Sequence, residues 1–206
     1  MATELYWAKG PWPGKLAMSP RPRGGEWLED EISCWHRQGV DTVVSMLTPP
    51  EEQDLNLVNE APTVLTQGLH FHSLPVLDRQ TPDSLGPFIT VLDRLNAELA
   101  AGRNLVIHCR QGVGRAGLLA ACLLIANGIA PDAAMRQLTA VRGVPVPETQ
   151  QQRDWIDRFA NPEHCLKTRP EGTMLDGHHR IEILRQRGEN VNALPREVIE
   201  RQSGLR

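Results

Sequence analysis

Asn104-Leu-Val-Ile-His-Cys-Arg-Gln-Gly-Val-Gly-Arg-Ala-Gly-Leu-Leu-Ala120 is the stretch around which the chain is organised. Leu105, Val106 and Ile107 form a short apolar, β-branched run that reads as a buried strand. From Ala116 to Ala126 the sequence is rich in Ala and Leu and reads as a buried helix. A tight loop joins the two. Its glycines, Gly112 and Gly114, let the backbone turn so that successive N–H groups point inward, and the helix that follows brings its positive N-terminal end to the same spot. Such a loop holds an anion. Two anions suit it: a phosphate group, and the thiolate of Cys109, which these dipoles favour over the thiol. Arg115 adds a planar fork able to grip two phosphate oxygens at once, which a lysine cannot do. A plainer reading makes Cys109 a small buried hydrophobe at a strand end and the glycines a simple turn.

Upstream, strands and helices alternate. Residues 4–25 open with Leu5-Tyr6-Trp7, an expected edge strand, and continue through Gly10-Pro-Trp-Pro-Gly14 and Ser19-Pro-Arg-Pro-Arg-Gly-Gly25, which read as a shaped loop. Trp7 and Trp12 are expected to pack. Arg21 and Arg23 read as a solvated basic loop, with the active-site rim as the alternative. Glu26 to Gln38 carries Trp27, Leu28, Ile32 and Trp35 at helical spacing and stops at Gly39. Val40 to Leu47 reads as a core strand, and Thr48-Pro-Pro-Glu-Glu as the start of a helix running to Asn59. Gly68 to Leu74 reads as a second strand leading into Pro75-Val-Leu-Asp78. A helix is expected from about Asp83 to Ala101, with Asp83 at its start.

Downstream, helices are expected over Pro131 to Val141 and from about Glu148 to Phe159, with Trp155, Ile156 and Phe159 buried. The tail reads as strand, turn and short helix between Thr173 and Gly188, then a strand between Asn192 and Ile199. The whole predicts an α/β fold: a central, mostly parallel mixed sheet of about five strands flanked by helices, with residues 1–160 as one domain and 161–206 as a short appendage without an assigned role. In such sheets ligands sit beyond the carboxyl ends of the strands, so Cys109 and Asp78 are expected to face one cleft.

The 206 residues are 40% hydrophobic and 23% charged with net charge −3, which suits a globular enzyme-sized core and argues against broadly basic nucleic-acid or membrane binders. No apolar run approaches the roughly 20 residues of a membrane span, and the N-terminus lacks a signal pattern, so a cytoplasmic protein is expected. The four cysteines, Cys34, Cys109, Cys122 and Cys165, form no disulfide framework or metal spacing, and His164, Cys165, His178 and His179 match no recognised zinc site. No metal and no cofactor are expected.

His108-Cys109 followed by five residues and Arg115 resembles the signature loop of the cysteine-dependent protein tyrosine phosphatases. The resemblance extends from about residue 70 to 160 and points to the dual-specificity branch, in particular its kinase-associated group and bacterial relatives. It rests on Pro75-Val-Leu-Asp78 with Thr81-Pro-Asp83, the loop 108–115, the Ala-Ala-Cys-Leu-Leu run ending at Leu124, Arg142-Gly143, and Glu148-Thr-Gln-Gln-Gln152. It implies that Cys109 is the nucleophile and that Arg110, Gln111, Gly112, Val113, Gly114 and Arg115 bind the phosphate. It implies further that Asp78 is the general acid and then the base, and that buried His108 supports the loop. Gln152 matches a glutamine that orders water, with helix-surface polarity as the alternative.

The expected activity is therefore a phosphomonoesterase reaction through a covalent cysteinyl-phosphate. The substrate would be phosphotyrosine, in a protein or a small phosphomonoester, with phosphoserine and phosphothreonine open. Two positions depart from the family pattern. Ala116 stands where most members carry a Ser or Thr that hydrogen-bonds the cysteine sulfur, and Glu148 stands at the first water-ordering glutamine. The alternative function is a weakly catalytic, phosphate-binding interaction module. A sulfur-transferase is a third class, but its loop differs in length and needs no acid like Asp78.

Overall fold

The computed structural model describes residues 3–160 and, beyond them, the strand backbones of Leu166–Thr168, Met174–Asp176 and Arg196–Val198. The first residues form β1 (Tyr6–Ala8) and β2 (Leu16–Ser19). Then come α1 (Leu28–Arg37), β3 (Thr42–Ser45), α2 (Pro49–Asp54), α3 (Glu60–Thr66), β4 (His70–Ser73) and α4 (Leu85–Ala100). β5 (Leu105–His108) and α5 (Arg115–Ala126) flank the signature loop, and α6 (Pro131–Arg142) and α7 (Gln150–Ala160) follow. The chain divides into two compact units, Met1–Asp157 and Arg158–Arg206.

In the first unit a five-stranded sheet runs in the order β1-β2-β5-β3-β4, antiparallel only between β1 and β2. This is the mostly parallel α/β sheet that the alternation predicts. Its register positions the site. Ser19 and Ser45 both stand opposite His108, and Ser45 stands opposite Ser73, so β2, β5, β3 and β4 all end at one level. Every loop that leaves those ends emerges along one edge. The second unit holds β6 (Leu166–Thr168) paired antiparallel to β7 (Met174–Asp176) and parallel to β8 (Arg196–Val198).

The core explains the alternation. β2, β3 and β5 are buried throughout, and α5 is buried along nearly its whole length, so its run of Ala and Leu is packed on all sides. On one side of the sheet Leu28, Ile32 and Trp35 of α1 and Val64 of α3 pack on Ala17, Val43 and Val106. Each fully buried Leu, Ile or Val contributes about 1.5–3 kcal/mol of transfer free energy, which is what fixes the register. No helix among the described residues is long and apolar enough to cross a membrane.

Four expectations need correction. Residues 16–19 are a strand in the interior of the sheet, not loop; four residues between proline-rich segments are too few to display a period. The helix expected from Thr48 to Asn59 ends at Asp54, because Asn56 turns left-handed (φ 55°), and a separate helix α3 begins at Glu60. Helix α4 starts after Ser84, leaving Asp83 exposed just outside it. Trp155 and Phe159 are half-buried rather than buried, whereas Ile156 is fully enclosed. In the tail, β6 was not foreseen. The expected helix before Gly188, and His164, Cys165, His178 and His179, lie outside the described residues.

Candidate active site

β5 ends at His108, and the backbone then curls through residues 109–114 before α5 starts at Arg115. Gly112 makes the curl possible. Its φ is +68°, and a Cβ there would lie 2.3 Å from the carbonyl oxygen of Ser19. Its N–H points at the sulfur of Cys109, 3.3 Å away. Cys109 is buried, as are Gly112 and Gly114, while Arg110 and Gln111 face solvent and Val113 is half-buried. Neighbouring elements brace the curl from outside. The Arg21 N–H donates to the Arg110 carbonyl (3.4 Å), and the Arg142 guanidinium donates to the carbonyls of Gln111 (2.8 Å) and Gly112 (3.2 Å) while stacking 4.0 Å over the Tyr6 ring.

Arg115 is the most constrained side chain of the cluster. Only 1% exposed, it reaches across the strand ends: Nη1 donates to the carbonyls of Met46 (3.2 Å) and Val76 (2.8 Å) and to Glu51 Oε2 (2.7 Å). Nη2 donates to Glu51 Oε1 (2.9 Å) and Asp78 Oδ1 (2.8 Å). Burial works against its charge, but the hydrogen bonds it donates to Glu51 and the negative charges of Cys109, Glu51 and Asp78 outweigh it and hold its proton more tightly than usual. Glu51 responds in kind. Burial pushes its carboxyl up, yet the bonds from Arg115 and Thr48 prevail and hold it below the ordinary carboxylate value.

Glu51 is a residue that the sequence reading missed. The signal was there: Thr48-Pro-Pro-Glu51 is a capping-box pattern, and both the N–H and the hydroxyl of Thr48 donate to Glu51 Oε2 at 3.0 Å. Curling back to cap its own helix brings the carboxylate to the end of β3, where Arg115 arrives.

Asp78 lies in the segment that continues β4. Leu74 and Val76 donate to the carbonyls of Ser45 and Met46, so the chain stays pinned beside β3 until Asp78, whose side chain is half exposed. Cys109, Arg115 and Asp78 thus meet in one cluster. Gln152 is fully buried, which sets aside the alternative of helix-surface polarity. Its Oε1 accepts from the Thr149 N–H (3.2 Å), its Nε2 donates to the Gln80 carbonyl (3.1 Å), and a Cβ on Gly114 would lie 3.0 Å from it. It joins the Asp78 segment to the signature loop. Arg79, at φ +60°, pairs with Glu148 at 3.5 Å and strengthens the same junction.

Arg23 is not at the rim. It pairs with Glu31 at 2.6 Å and stacks over Trp27. His108 is fully buried as the last residue of β5, tilted against Trp35. Cys34, Cys109 and Cys122 are free thiols among the described residues, and burial alone pushes Cys122 well above the usual thiol range.

Residues 12–185 match the family model described as a Swiss Army Knife protein, DSP-PTPase phosphatase domain. The chain is 33% identical over 133 residues to the human cyclin-dependent kinase inhibitor 3, covering 64% of this chain and 60% of that protein. It is 31% identical over 123 residues to the rat form, covering 59% and 58%. The match thus spans about three fifths of those relatives' length. Among solved structures, a kinase associated phosphatase whose catalytic-site cysteine is replaced by serine superposes with a TM-score of 0.72 at 22% identity, over 79% of this chain and 96% of that one. That likeness is one of fold.

Proposed function

The chain belongs to the family of Swiss Army Knife proteins with a DSP-PTPase phosphatase domain, and from that premise we propose that it hydrolyses phosphomonoesters through a covalent cysteinyl-phosphate. Phosphotyrosine is the leading substrate, with phosphoserine and phosphothreonine in a dual-specificity range. The observation that carries this reading is the meeting of Asp78 Oδ1 with Arg115 Nη2 at 2.8 Å, beside a buried Cys109 whose charge Arg115 feels. A loop that only captured phosphate would need the cation but no carboxyl group beside it.

In the proposed reaction the Cys109 thiolate attacks phosphorus. An S–P bond forms as the P–O bond to the leaving group breaks, and the Asp78 carboxyl gives its proton to the departing oxygen. Arg115 holds two of the non-bridging oxygens through Nε and Nη2, and the loop N–H groups hold the rest as charge redistributes. Phosphate oxygens at Nη2 displace the Asp78 carboxylate, which takes up a proton from solvent and, as the carboxyl, turns to the leaving-group oxygen. In the second half Asp78 takes a proton from water as it attacks phosphorus, the S–P bond breaks, and the thiolate is restored. Gln152 serves here by fixing the Asp78 segment through Gln80.

Release of p-nitrophenol from p-nitrophenyl phosphate tests the proposal. Cys109→Ser is expected to abolish it, whereas Asp78→Ala is expected to lower kcat by about 10²–10⁴-fold for alkyl phosphates and by less for p-nitrophenyl phosphate, whose leaving group needs little help from a proton. Equal losses on both substrates would remove Asp78 from the acid role, and full activity of Cys109→Ser would remove the covalent route.

A further inference from the structure

Behind the signature loop two ionisable side chains are sealed from water, and the chemistry above uses neither directly. Glu60, in the first turn of α3, is 1% exposed, and His108 is fully buried. Glu60 Oε1 lies 2.7 Å from His108 Nε2 without being aligned on the ring N–H. Neither carboxylate oxygen and neither ring nitrogen has another hydrogen-bond partner among the described residues. A carboxylate in such a place is costly unless a cation stands beside it, and a buried imidazole favours its neutral form unless an anion does. The two groups therefore stand as a buried pair, each the nearest counter-charge available to the other.

The surroundings decide where the charge lies. The register partners of His108, Ser19 on β2 and Ser45 on β3, do not titrate, and neither does Trp35, which meets the ring from α1. From α2, Glu52 faces the pair. Its carboxyl is held above the ordinary value, first by burial and then by the negative charge of Glu60, against the positive charge of His108. Cys109 follows His108 in the chain, and Arg115, itself committed to Glu51 and Asp78, adds positive charge at the loop.

We propose that Glu60 is a positioning residue for the nucleophile: it keeps His108 protonated beneath the loop, so that an imidazolium one residue from Cys109 sustains the thiolate to lower pH than the loop dipoles and Arg115 alone. The proposal rests on the reading of Cys109 as the nucleophile. Its sign follows from the chemistry. Without the Glu60 charge the buried imidazole gives up its proton, Cys109 loses a neighbouring cation, and the thiolate forms only at higher pH.

The test is the pH dependence of Cys109 alkylation by iodoacetamide, read by mass spectrometry on the Cys109 peptide, in the unaltered chain, Glu60→Gln, His108→Gln and the double variant. The midpoint is expected to rise in Glu60→Gln and in His108→Gln by the same amount, and no further in the double variant. Each pH unit of rise slows alkylation about tenfold below the midpoint, because the thiolate fraction falls tenfold. An unchanged midpoint in a folded Glu60→Gln, or shifts that add in the double variant, would overturn the proposal. Should the variants fail to fold, the ring 15N shifts of His108 in the unaltered chain decide: imidazolium at the pH where Cys109 is fully reactive supports it, and neutral imidazole there overturns it. Hydrolysis of p-nitrophenyl phosphate by the same unaltered sample keeps the two readings apart. A shifted midpoint with no hydrolysis would remove the phosphatase reading and leave Glu60 in its role.

Discussion

Arg115 holds the cluster together because its fork is shared between two carboxylates and two carbonyls from two separate stretches of chain, 46–51 and 76–78. Glu51 is its permanent partner, and this has a pH signature. A carboxyl held below its ordinary value when folded stabilises the protein fully above the unfolded value, about 4.3 for Glu, and ceases to as pH falls through the folded one. Glu51→Gln is therefore expected to lower Tm at pH 7 by about 5–10 °C, from roughly 2–3 kcal/mol of lost pairing. The gap to the unaltered protein should narrow steadily below pH ~4. Parallel Tm curves from pH 7 to 3 would contradict it. Ala116, fully buried at the start of α5, offers no hydroxyl to the sulfur. If it slows hydrolysis of the phosphoenzyme, Ala116→Ser should raise steady-state turnover and shrink the pre-steady-state burst with p-nitrophenyl phosphate; unchanged turnover would count against that. That Cys109, Arg115 and Asp78 would come together was legible in the sequence, the first two from the strand-loop-helix pattern and Asp78 from its place beyond a neighbouring strand and from the family resemblance. Glu51 and Glu60 were not, because a single glutamate before or within a helix looks like ordinary capping or surface charge until the fold buries it.

Each element delivers its residues through its ends. β2, β5, β3 and β4 finish level with one another, and the loops beyond them are tied sideways by Arg142, Gln152 and the Arg79–Glu148 pair. Arg142 stands at the last turn of α6, which Gly143 closes in a left-handed conformation, and its planar fork spans the carbonyls of Gln111 and Gly112. Hydrogen bonds to a charged donor are worth about 1.5–3 kcal/mol, so Arg142→Gln should lower kcat/KM roughly tenfold or more while Tyr6→Phe, which keeps the stacked ring, leaves it unchanged. Equal activity of Arg142→Gln would mean that the loop holds its shape unaided. At this scale the long, strongly periodic helices and the β-branched strands were readable from the sequence. β2 and the break between α2 and α3 were not: Leu16–Ser19 is too short to show alternation, and the left-handed turn at Asn56 is a choice that asparagine permits but does not announce.

At the scale of the molecule, the described core, from Ala8 to Ile156, belongs to the first compact unit. The alternation of strand and helix made that architecture legible, because a parallel sheet must cross over through helices and so leaves one edge free for loops. In the tail, β7 and β8 fall within the stretches expected to hold strands, whereas the three residues of β6 are too few to display a period. The fold's purpose, on the present account, is to present one ionised sulfur and one guanidinium to a phosphoryl group. Rapid acid quenching during turnover of p-nitrophenyl phosphate, followed by mass spectrometry of the digested chain, addresses this most directly. The account predicts one added phosphoryl group on the peptide carrying Cys109, with none on that peptide from Cys109→Ser. Turnover that proceeds with the Cys109 peptide unmodified at every quench time, or with the phosphoryl group on another residue, would contradict it.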